Sequence, residues 1–281
     1  TPRYRENFLR CVDAAIPEAD IDWERGRIFH RDGVTTVEAF PLGVDTDRIS
    51  RLAAAEESET HWSDFAAEHG IDDSVSLAVS VDRLDYTKGI PERLDALEHL
   101  WETRPEWRGE LTFVQIGTES RSQIPAYQEL QNEVADAVER INDRFGTDDW
   151  KPVVYTTDYL SNEQLYSLYR NADVGIVSPI RDGMNLVAQE FIAAQGDDDG
   201  ALVLSEQAGV HDVFGQSAIS VSPQNVEDFS SSIHTALTLS DEERKRRMEI
   251  LTRETVEHDV TDWIVDVVER MAHIRDSKRQ T

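Results

Sequence analysis

The chain has 281 residues, of which 39% are hydrophobic, and a formal net charge of −28. This length is enough to bury the core of one large domain, or of one domain and part of another. The acidic excess has the wrong sign for binding nucleic acid or an anionic membrane surface, so we expect neither as a partner.

The negative charge is spread over the whole chain, and lysine is nearly absent. The four lysines are Lys88, Lys151, Lys245 and Lys278. Such a composition is typical of proteins that work in concentrated salt, where screening over a few ångströms removes most self-repulsion. It predicts a salt-adapted, archaeal source. The alternative is an ordinary acidic cytosolic enzyme.

The single cysteine, Cys11, cannot form an intrachain disulfide, which favours a reducing, cytoplasmic location. The sequence shows no signal peptide, lipidation motif or membrane-spanning apolar run. The chain lacks an initiating methionine and opens inside an amphipathic pattern, so we expect it to be a piece of a longer protein. Whether the full-length protein forms a homo-oligomer stays open.

The first part of the chain predicts irregular, mixed structure. We expect a helix over residues 1–16, a polar hairpin over 23–36, a strand over 37–40, a linker to residue 45 and an acidic helix over 47–69.

From residue 76 onwards, strand and helix patterns alternate. The predicted strands cover residues 76–81, 111–116, 153–155, 174–177, 202–204 and 218–221. The predicted helices cover 91–103, 124–145, 162–171, a segment after Gly183 that ends near Gly196, and then 225–239, 241–258 and 260–276. This alternation predicts an α/β fold with a doubly wound parallel sheet, in which ligands bind beyond the carboxyl ends of the strands.

The stretch from Ser178 to Gly196 concentrates the predicted chemistry. It follows a buried strand and reads as a tight polar turn and a helix, which together form an anion site. Asp182 lies in the turn and Glu190 lies in the first turns of the helix, a layout that suits the sugar, diphosphate and ribose of a nucleotide-sugar. In the alternative, Asp182 only caps the helix and Glu190 is solvated.

Cations follow the first two strands of the predicted sheet. Arg83 and Lys88 come after the first, and Arg121 comes after the second. Arginine and lysine side chains can together bind a diphosphate leaving group. The alternative is that Arg83 and Lys88 form surface ion pairs with Asp82 and Asp85.

Several common signatures are absent from the sequence. It contains no G-x-G-x-x-G fingerprint, no G-x-x-x-x-G-K-[ST] loop and no G-x-S-x-G elbow. Its histidines show no pair at metal-ligand spacing on one element, so we predict no metal and no cofactor. These absences point away from dehydrogenases, P-loop enzymes and hydrolases.

Two long motifs carry a family resemblance. Arg83-Leu84-Asp85-Tyr86-Thr87-Lys88-Gly89 and Arg181-Asp182-Gly183-Met184-Asn185-Leu186-Val187-Ala188-Gln189-Glu190 resemble the strongest motifs of the trehalose-6-phosphate synthases. Val203 to Gly209 and His258 to Trp263 are similar to two further segments, and the match covers essentially the whole chain. Gln189 stands where the family commonly has lysine.

The resemblance implies a GT-B-type glycosyltransferase with two Rossmann-like lobes and a site in the cleft between them. Residues 1–45 would be a remnant of the N-terminal, acceptor-side lobe with a linker, and residues 46–281 the donor-binding C-terminal lobe. The reaction would move glucose from UDP-glucose, or another NDP-glucose, to glucose 6-phosphate with retention and without a metal. The departing phosphate oxygen would take the acceptor's proton.

The resemblance also implies roles for individual residues. Arg83 and Lys88 would bind the donor diphosphate, Asp182 would hold glucose hydroxyls, and Glu190 would bind the ribose. The backbone N–H groups of Gly183, Met184, Asn185 and Leu186 would face glucose or phosphate, and Arg121 would reach the acceptor phosphate. Because most of the acceptor-side lobe is missing, we expect the chain alone to have little or no synthase activity.

Two other functions stay open. A glucosylglycerol-phosphate synthase-like transferase would keep the fold and change the acceptor. A noncatalytic sugar-nucleotide-binding or regulatory relative would lack transfer activity, which the intact Arg83, Lys88, Asp182 and Glu190 disfavour.

Overall fold

The computed structural model describes residues 1–31, 33–118, 123–196 and 199–279, with side chains described as far as residue 275. The chain divides into two compact units, Thr1–Gly43 with His258–Thr281, and Val44–Glu257. The last helix therefore belongs to the first unit, whereas the sequence analysis grouped it with residues 46–281. The assignment of the two units to an acceptor-side and a donor-side lobe stays a prediction.

The smaller unit combines two helices with an antiparallel sheet. Its elements are α1 (Pro2–Ala15), β1 (Asp20–Asp22), β2 (Arg27–His30), β3 (Gly33–Thr36) and α11 (Val260–Arg279). The three strands pair in chain order, so the predicted hairpin is confirmed.

The predicted strand over residues 37–40 is wrong. The ladder between β2 and β3 ends at the pair Arg27 and Thr36, and residues 37–40 form no strand. Phe40 instead offers its carbonyl to the indole Nε1 of Trp263, at 3.1 Å. The β-branched and aromatic composition of this segment had suggested a strand, but β2 does not extend far enough to pair with it.

The larger unit contains a six-stranded parallel sheet. Its strands are β4 (Ser76–Arg83), β5 (Leu111–Thr118), β6 (Val153–Thr156), β7 (Val174–Val177), β8 (Ala201–Ser205) and β9 (Ile219–Val221). They lie in the order β6-β5-β4-β7-β8-β9, and every pairing is parallel. This is the doubly wound order 3-2-1-4-5-6, whose direction reverses between β4 and β7. The predicted α/β class and parallel sheet are confirmed.

Helices cover both faces of this sheet. They are α2 (Thr46–Ala53), α3 (Glu56–His69), α4 (Ile90–Thr103), α5 (Pro125–Phe145), α6 (Asn162–Arg170), α7 (Leu186–Ala194), α8 (His211–Phe214), α9 (Val226–Leu237) and α10 (Asp241–Val256).

Alternation along the strands divides the interior into two cores. Leu77 and Val79 of β4 point into one core, with apolar residues of α2, α3, α6, α7 and α10. Ala78 points into the other, with residues of α4, α5 and α9. This two-sided burial explains why the strands read as continuous apolar runs.

Two predicted helices differ from the structure, and one helix of the structure was not predicted. The acidic helix over 47–69 is two helices, because Ala55 is extended and each part turns its own apolar face to the core. Helix α7 ends at Ala194 rather than at Gly196, and the side chain of Gln195 donates to the Tyr169 carbonyl. The short helix α8 was not predicted.

No helix among the described residues combines the length and the apolar character needed to cross a membrane.

Candidate active site at the edge of the parallel sheet

The candidate site lies at the carboxyl ends of β4 and β7, the two strands between which the winding direction reverses. Open α/β sheets bind their ligands at this switch point, because the loops on either side diverge and leave a crevice. The loop after β4 leads into α4, and the loop after β7 leads into α7. The first long motif of the sequence runs from the end of β4 through its loop, and the second runs from the loop after β7 into α7.

Lys88 and Asp182 form an ion pair that joins the two loops. The distance from Lys88 Nζ to Asp182 Oδ2 is 2.6 Å, and the two side chains are only 16% and 17% exposed. A lysine and an aspartate 94 positions apart in the sequence therefore meet in a partly shielded place, where a charge interacts more strongly than on the open surface.

Lys88 forms its ion pair with Asp182 and not with Asp82 or Asp85, as the alternative had it. The Asp85 carboxylate accepts hydrogen bonds from the N–H and the hydroxyl of Thr87 and from the hydroxyl of Tyr127. Burial alone would raise the pKa of Asp85, but these hydrogen bonds, together with the charge of Arg83, outweigh it and lower the pKa. Asp82 is buried beside Arg93.

Main-chain hydrogen bonds connect three loops along the sheet edge. Ile180 N–H donates to the Thr87 carbonyl at 2.8 Å, which joins the loops after β4 and β7. Asp182 N–H donates to the Gln207 carbonyl, and Gly209 N–H donates to the Asp182 carbonyl, so the loop after β8 supports the same turn. The turn that carries Asp182 is therefore held from both sides.

Glycine is required at Gly89, where the loop after β4 meets the loop after β7. Gly89 has a φ of +66°, and a Cβ at this position would lie 2.1 Å from the Ser178 carbonyl oxygen. Only glycine combines this backbone conformation with such a close approach.

The turn before α7 has an unusual local conformation. Asn185 caps the helix by accepting from the Ala188 N–H, and its own φ is +81°, which is uncommon for a residue with a side chain. Thus Asn185, and not Asp182, is the helix cap. Asp182 Oδ1 accepts from the Met184 N–H, and Asn185 Nδ2 donates to Asp182 Oδ2. These bonds fix the orientation of the Asp182 carboxylate.

Two residues of this turn differ in their surroundings. Gly183 is exposed, and a Cβ added there would meet no atom within 4 Å. Leu186 is the first residue of α7 and packs at the edge of the core. Open space therefore lies directly over the turn.

Glu190 lies on α7 and is partly buried. Burial raises the pKa of Glu190 from its ordinary value of 4.5 to about 7. The charge of Glu190 also helps to raise the pKa of Tyr166 and Tyr169 on α6, after burial, which is the larger cause. The alternative of a freely solvated carboxylate is therefore wrong.

The other two predicted cations are Arg83 and Arg121. Arg83 is the last residue of β4 and its side chain is exposed at the sheet edge. Arg121 lies outside the described residues, so its predicted role stays untested.

Arg93 was not predicted from the sequence. This residue of α4 is fully buried and hydrogen-bonded to side chains of the sheet and to the Lys88 carbonyl. The signal was present in the sequence, because Arg93 stands at helical spacing with Leu97 and Leu100 on an otherwise apolar face.

The described part of the chain contains no group of three or more His, Cys, Asp or Glu side chains that could hold a metal ion. What the site offers is a cation, a fixed carboxylate and an open helix start on neighbouring loops. Such a set can bind a ligand with both hydroxyls and phosphates.

This fold and site define a Rossmann-like α/β protein with a cation, a fixed carboxylate and a helix start at its switch point. The sequence model of glycosyltransferase family 20 matches residues 1–273, and the chain belongs to that family.

Relatives of the chain carry consistent names. "Alpha,alpha-trehalose-phosphate synthase [UDP-forming] A" of Dictyostelium discoideum is 32% identical over 268 residues, which are 95% of this chain and 36% of that protein. The trehalose-6-phosphate synthase of Sodalis glossinidius is 33% identical over 92% of this chain and 54% of its own length. The chain thus spans between about a third and somewhat over half of these relatives.

Solved structures share the fold. A UDP-forming alpha,alpha-trehalose-phosphate synthase from Burkholderia vietnamiensis superposes with a TM-score of 0.89 at 30% identity, covering 97% of this chain and 60% of its own. The structure described as "Trehalose-6-phosphate from E. coli bound with UDP-2-fluoro glucose" gives a TM-score of 0.88 at 32% identity, covering 96% of this chain and 59% of its own. The predicted family resemblance and GT-B-type fold are confirmed.

Proposed function

We propose that this chain carries the donor half of a retaining glycosyltransferase that moves glucose from UDP-glucose, or another NDP-glucose, to glucose 6-phosphate and so forms trehalose 6-phosphate. The observation that carries the proposal is the Lys88 to Asp182 ion pair of 2.6 Å, which places a cation and a carboxylate at the switch point of the sheet. The names of the relatives and the bound UDP-2-fluoro glucose of one solved structure support it.

The proposed roles follow from the chemistry of each group. Lys88 and Arg83 bind the diphosphate and stabilise the negative charge that develops as the nucleotide leaves. Asp182, with its carboxylate held by Met184 and Asn185, accepts hydrogen bonds from hydroxyls of the transferred glucose. When the donor enters, Lys88 exchanges part of its contact with Asp182 for contact with phosphate.

The remaining roles are those of the turn at Gly183, of Glu190 and of Arg121. The turn at Gly183 lies against the sugar or the diphosphate, because the space over it is open. Glu190 accepts hydrogen bonds from the ribose hydroxyls when it is ionised, and Arg121 reaches the phosphate of the acceptor.

A titration of this chain with UDP-glucose by calorimetry tests the donor site. We expect binding in the wild type and about tenfold weaker binding in Gly183→Ala, because the added methyl group occupies the open space over the turn. Gly33→Ala is the matched control, since Gly33 also has an ordinary φ and room for a methyl group. Absence of binding to the wild type, or equal affinity of the Gly183 variant, would contradict the proposal.

The transfer reaction is tested on the full-length protein, with this chain assayed beside it. UDP-glucose and glucose 6-phosphate should give trehalose 6-phosphate with the full-length protein, and little or none with this chain. Product with glycerol 3-phosphate alone would favour the glucosylglycerol-phosphate alternative. Binding of UDP-glucose with no transfer to either acceptor would favour the noncatalytic one.

We also propose that the protein works in a salt-rich, reducing cytoplasm. The net charge of −28 and the free, exposed Cys11 support this setting. The melting temperature should then rise steadily as KCl is raised from about 0.1 M, where the Debye length is about 10 Å, to about 1 M, where it is about 3 Å. A melting temperature that does not depend on salt would contradict it.

A further inference from the structure

Among the described residues of the larger unit, Arg93 is the largest buried charged side chain, and it lies directly behind the candidate site. Its side chain is 0% exposed, and that of its partner Asp82 is 5% exposed. A buried ion pair gains little stability over well-packed apolar residues of similar size. The presence of arginine on this apolar face of α4 therefore calls for an explanation other than stability.

The guanidinium of Arg93 joins three strands of the sheet. Nη1 donates to Asp82 Oδ2 of β4 at 2.9 Å and to Gln115 Oε1 of β5 at 2.6 Å. Nε donates to the hydroxyl of Ser178, which follows β7, at 3.0 Å. A planar fork with donors on both sides can make these bonds at once, which a lysine ammonium cannot.

The same guanidinium also reaches the loop that carries Lys88. Nη2 donates to the Lys88 main-chain carbonyl at 3.3 Å. Ser178, on the other side, begins the loop that carries Asp182, and its carbonyl approaches Gly89 so closely that a Cβ there would lie 2.1 Å away. Arg93 thus bonds to the base of both loops whose side chains meet in the ion pair.

We infer that Arg93 is a positioning residue, which holds the loops after β4 and β7 at the separation where Lys88 Nζ meets Asp182. It does not touch the ligand and acts through the Lys88 carbonyl and Ser178. Its importance for donor binding rests on the proposed function, but its effect on the ion pair does not.

The scarcity of lysine makes the ion pair directly measurable. The chain has four lysines, so side-chain NMR of the chain labelled with ¹⁵N-lysine gives one Nζ signal for each, and Lys88→Arg identifies that of Lys88. Asp182→Asn gives the reference position of the Lys88 signal without its carboxylate partner.

The test compares Arg93→Lys with Arg247→Lys. Arg247, on α10, also bonds to a carboxylate and to a main-chain carbonyl, those of Glu243 and Ser217, but to neither loop of the site. Each variant adds one new lysine signal. We expect Arg93→Lys to move the Lys88 signal toward its Asp182→Asn position and Arg247→Lys to leave it in place. An unmoved Lys88 signal in folded Arg93→Lys would overturn the inference.

Ser178→Ala provides a second, milder variant. It removes the acceptor of Arg93 Nε without leaving a buried charge unpaired, and it should move the Lys88 signal in the same direction by a smaller amount. If Arg93→Lys does not fold, an unmoved Lys88 signal in Ser178→Ala overturns the inference by itself.

Titration with UDP-glucose separates this inference from the proposed function. Arg93→Lys should bind about tenfold more weakly, and in the double variant with Lys88→Ala the two losses of affinity should not multiply in full, because both changes remove the contribution of Lys88. If the losses of UDP-glucose affinity in the two single variants multiply in full in the double variant, the inference that Arg93 acts through Lys88 is overturned. If Lys88→Ala binds as the wild type does while Arg93→Lys still moves the Lys88 signal, the positioning role stands and the diphosphate role of Lys88 fails.

Discussion

Two groups of charged side chains in the larger unit are built in contrasting ways. At the sheet edge, Lys88, Asp182, Arg93 and Asp82 form ion pairs that are at least 83% buried and join different loops and strands. On the outer faces of α4 and α5, Glu98 forms ion pairs with Arg140 and Arg144, and these two arginines are 51% and 44% exposed. We call this group the surface network. Both groups pair opposite charges, so pairing alone does not distinguish them.

The difference lies in the solvent around each group. Burial alone would raise the pKa of Glu98, but the hydrogen bonds and the charges of Arg140 and Arg144 outweigh it and lower the pKa. For Asp82, burial is the dominant cause, and its pKa stays raised although Arg93 and Lys88 act to lower it. The ion pairs of the candidate site are therefore the ones that are shielded from water and salt.

The largest effect is expected from Asp82→Ala. The change leaves Arg93 buried without its carboxylate, which should lower the free energy of unfolding by about 3 to 5 kcal/mol. Urea unfolding followed by circular dichroism measures this loss. Glu102→Ala, which removes a half-exposed carboxylate from the surface network, is the control and should have a much smaller effect. Equal losses in the two variants would remove the contrast.

Lys88→Ala should affect the reaction more than the fold. In the full-length protein we expect a loss of about 2 to 4 kcal/mol of transition-state stabilisation, and a similar loss for Arg83→Ala, because in the proposed function both cations bind the leaving diphosphate. Steady-state values of kcat/KM for UDP-glucose measure it. Arg144→Ala, which removes a cation of the surface network, is the matched control and should leave kcat/KM unchanged. Unchanged turnover in the Lys88 variant would contradict the proposed role.

As the pH rises, Glu190→Gln should become more stable than the wild type but should bind UDP-glucose more weakly than the wild type does. The pKa of Glu190 is raised in the folded protein to about 7 from an ordinary 4.5, so the wild type loses stability as the pH rises between these values. The Gln variant lacks this loss and should be more stable than the wild type at pH 8 by about 2 kcal/mol. Thermal unfolding at pH 4 and pH 8 measures the difference.

The same ionisation should strengthen donor binding. If the Glu190 carboxylate accepts hydrogen bonds from ribose, the wild type binds UDP-glucose more tightly at pH 8 than at pH 6, and Glu190→Gln loses both this dependence and about 2 kcal/mol of binding at pH 8. Equal titrations of the two proteins at pH 8 would take Glu190 out of the site.

The smallest effect is expected from Arg140→Gln in the surface network. Arg140 itself is 51% exposed in its ion pairs with Glu98 and Asp95, so the melting temperature should fall by no more than about 2 °C in low salt and by less in 1 M KCl. Scanning calorimetry at the two salt concentrations measures this. A larger fall that persists in high salt would mean that the surface network is also shielded.

Much of the fold could be predicted because the apolar runs and their spacing are local features. The strands at residues 76–81 and 174–177 were predicted within two residues of their observed ends. The site loops followed from their place after these strands. The break at Ala55 and the absent strand over residues 37–40 could not be predicted, since each depends on what the segment packs or pairs with.

The sequence by itself determined the α/β class, the family and the two loops that carry Lys88 and Asp182, because motif and periodicity are written along the chain. Only the tertiary structure decided that Lys88 pairs with Asp182 rather than with its neighbours Asp82 and Asp85, and that Arg93 lies buried behind both loops. The physical reason is that an ion pair forms between the groups that folding brings within a few ångströms and shields from water. In a doubly wound sheet, those groups come from strands far apart in the sequence.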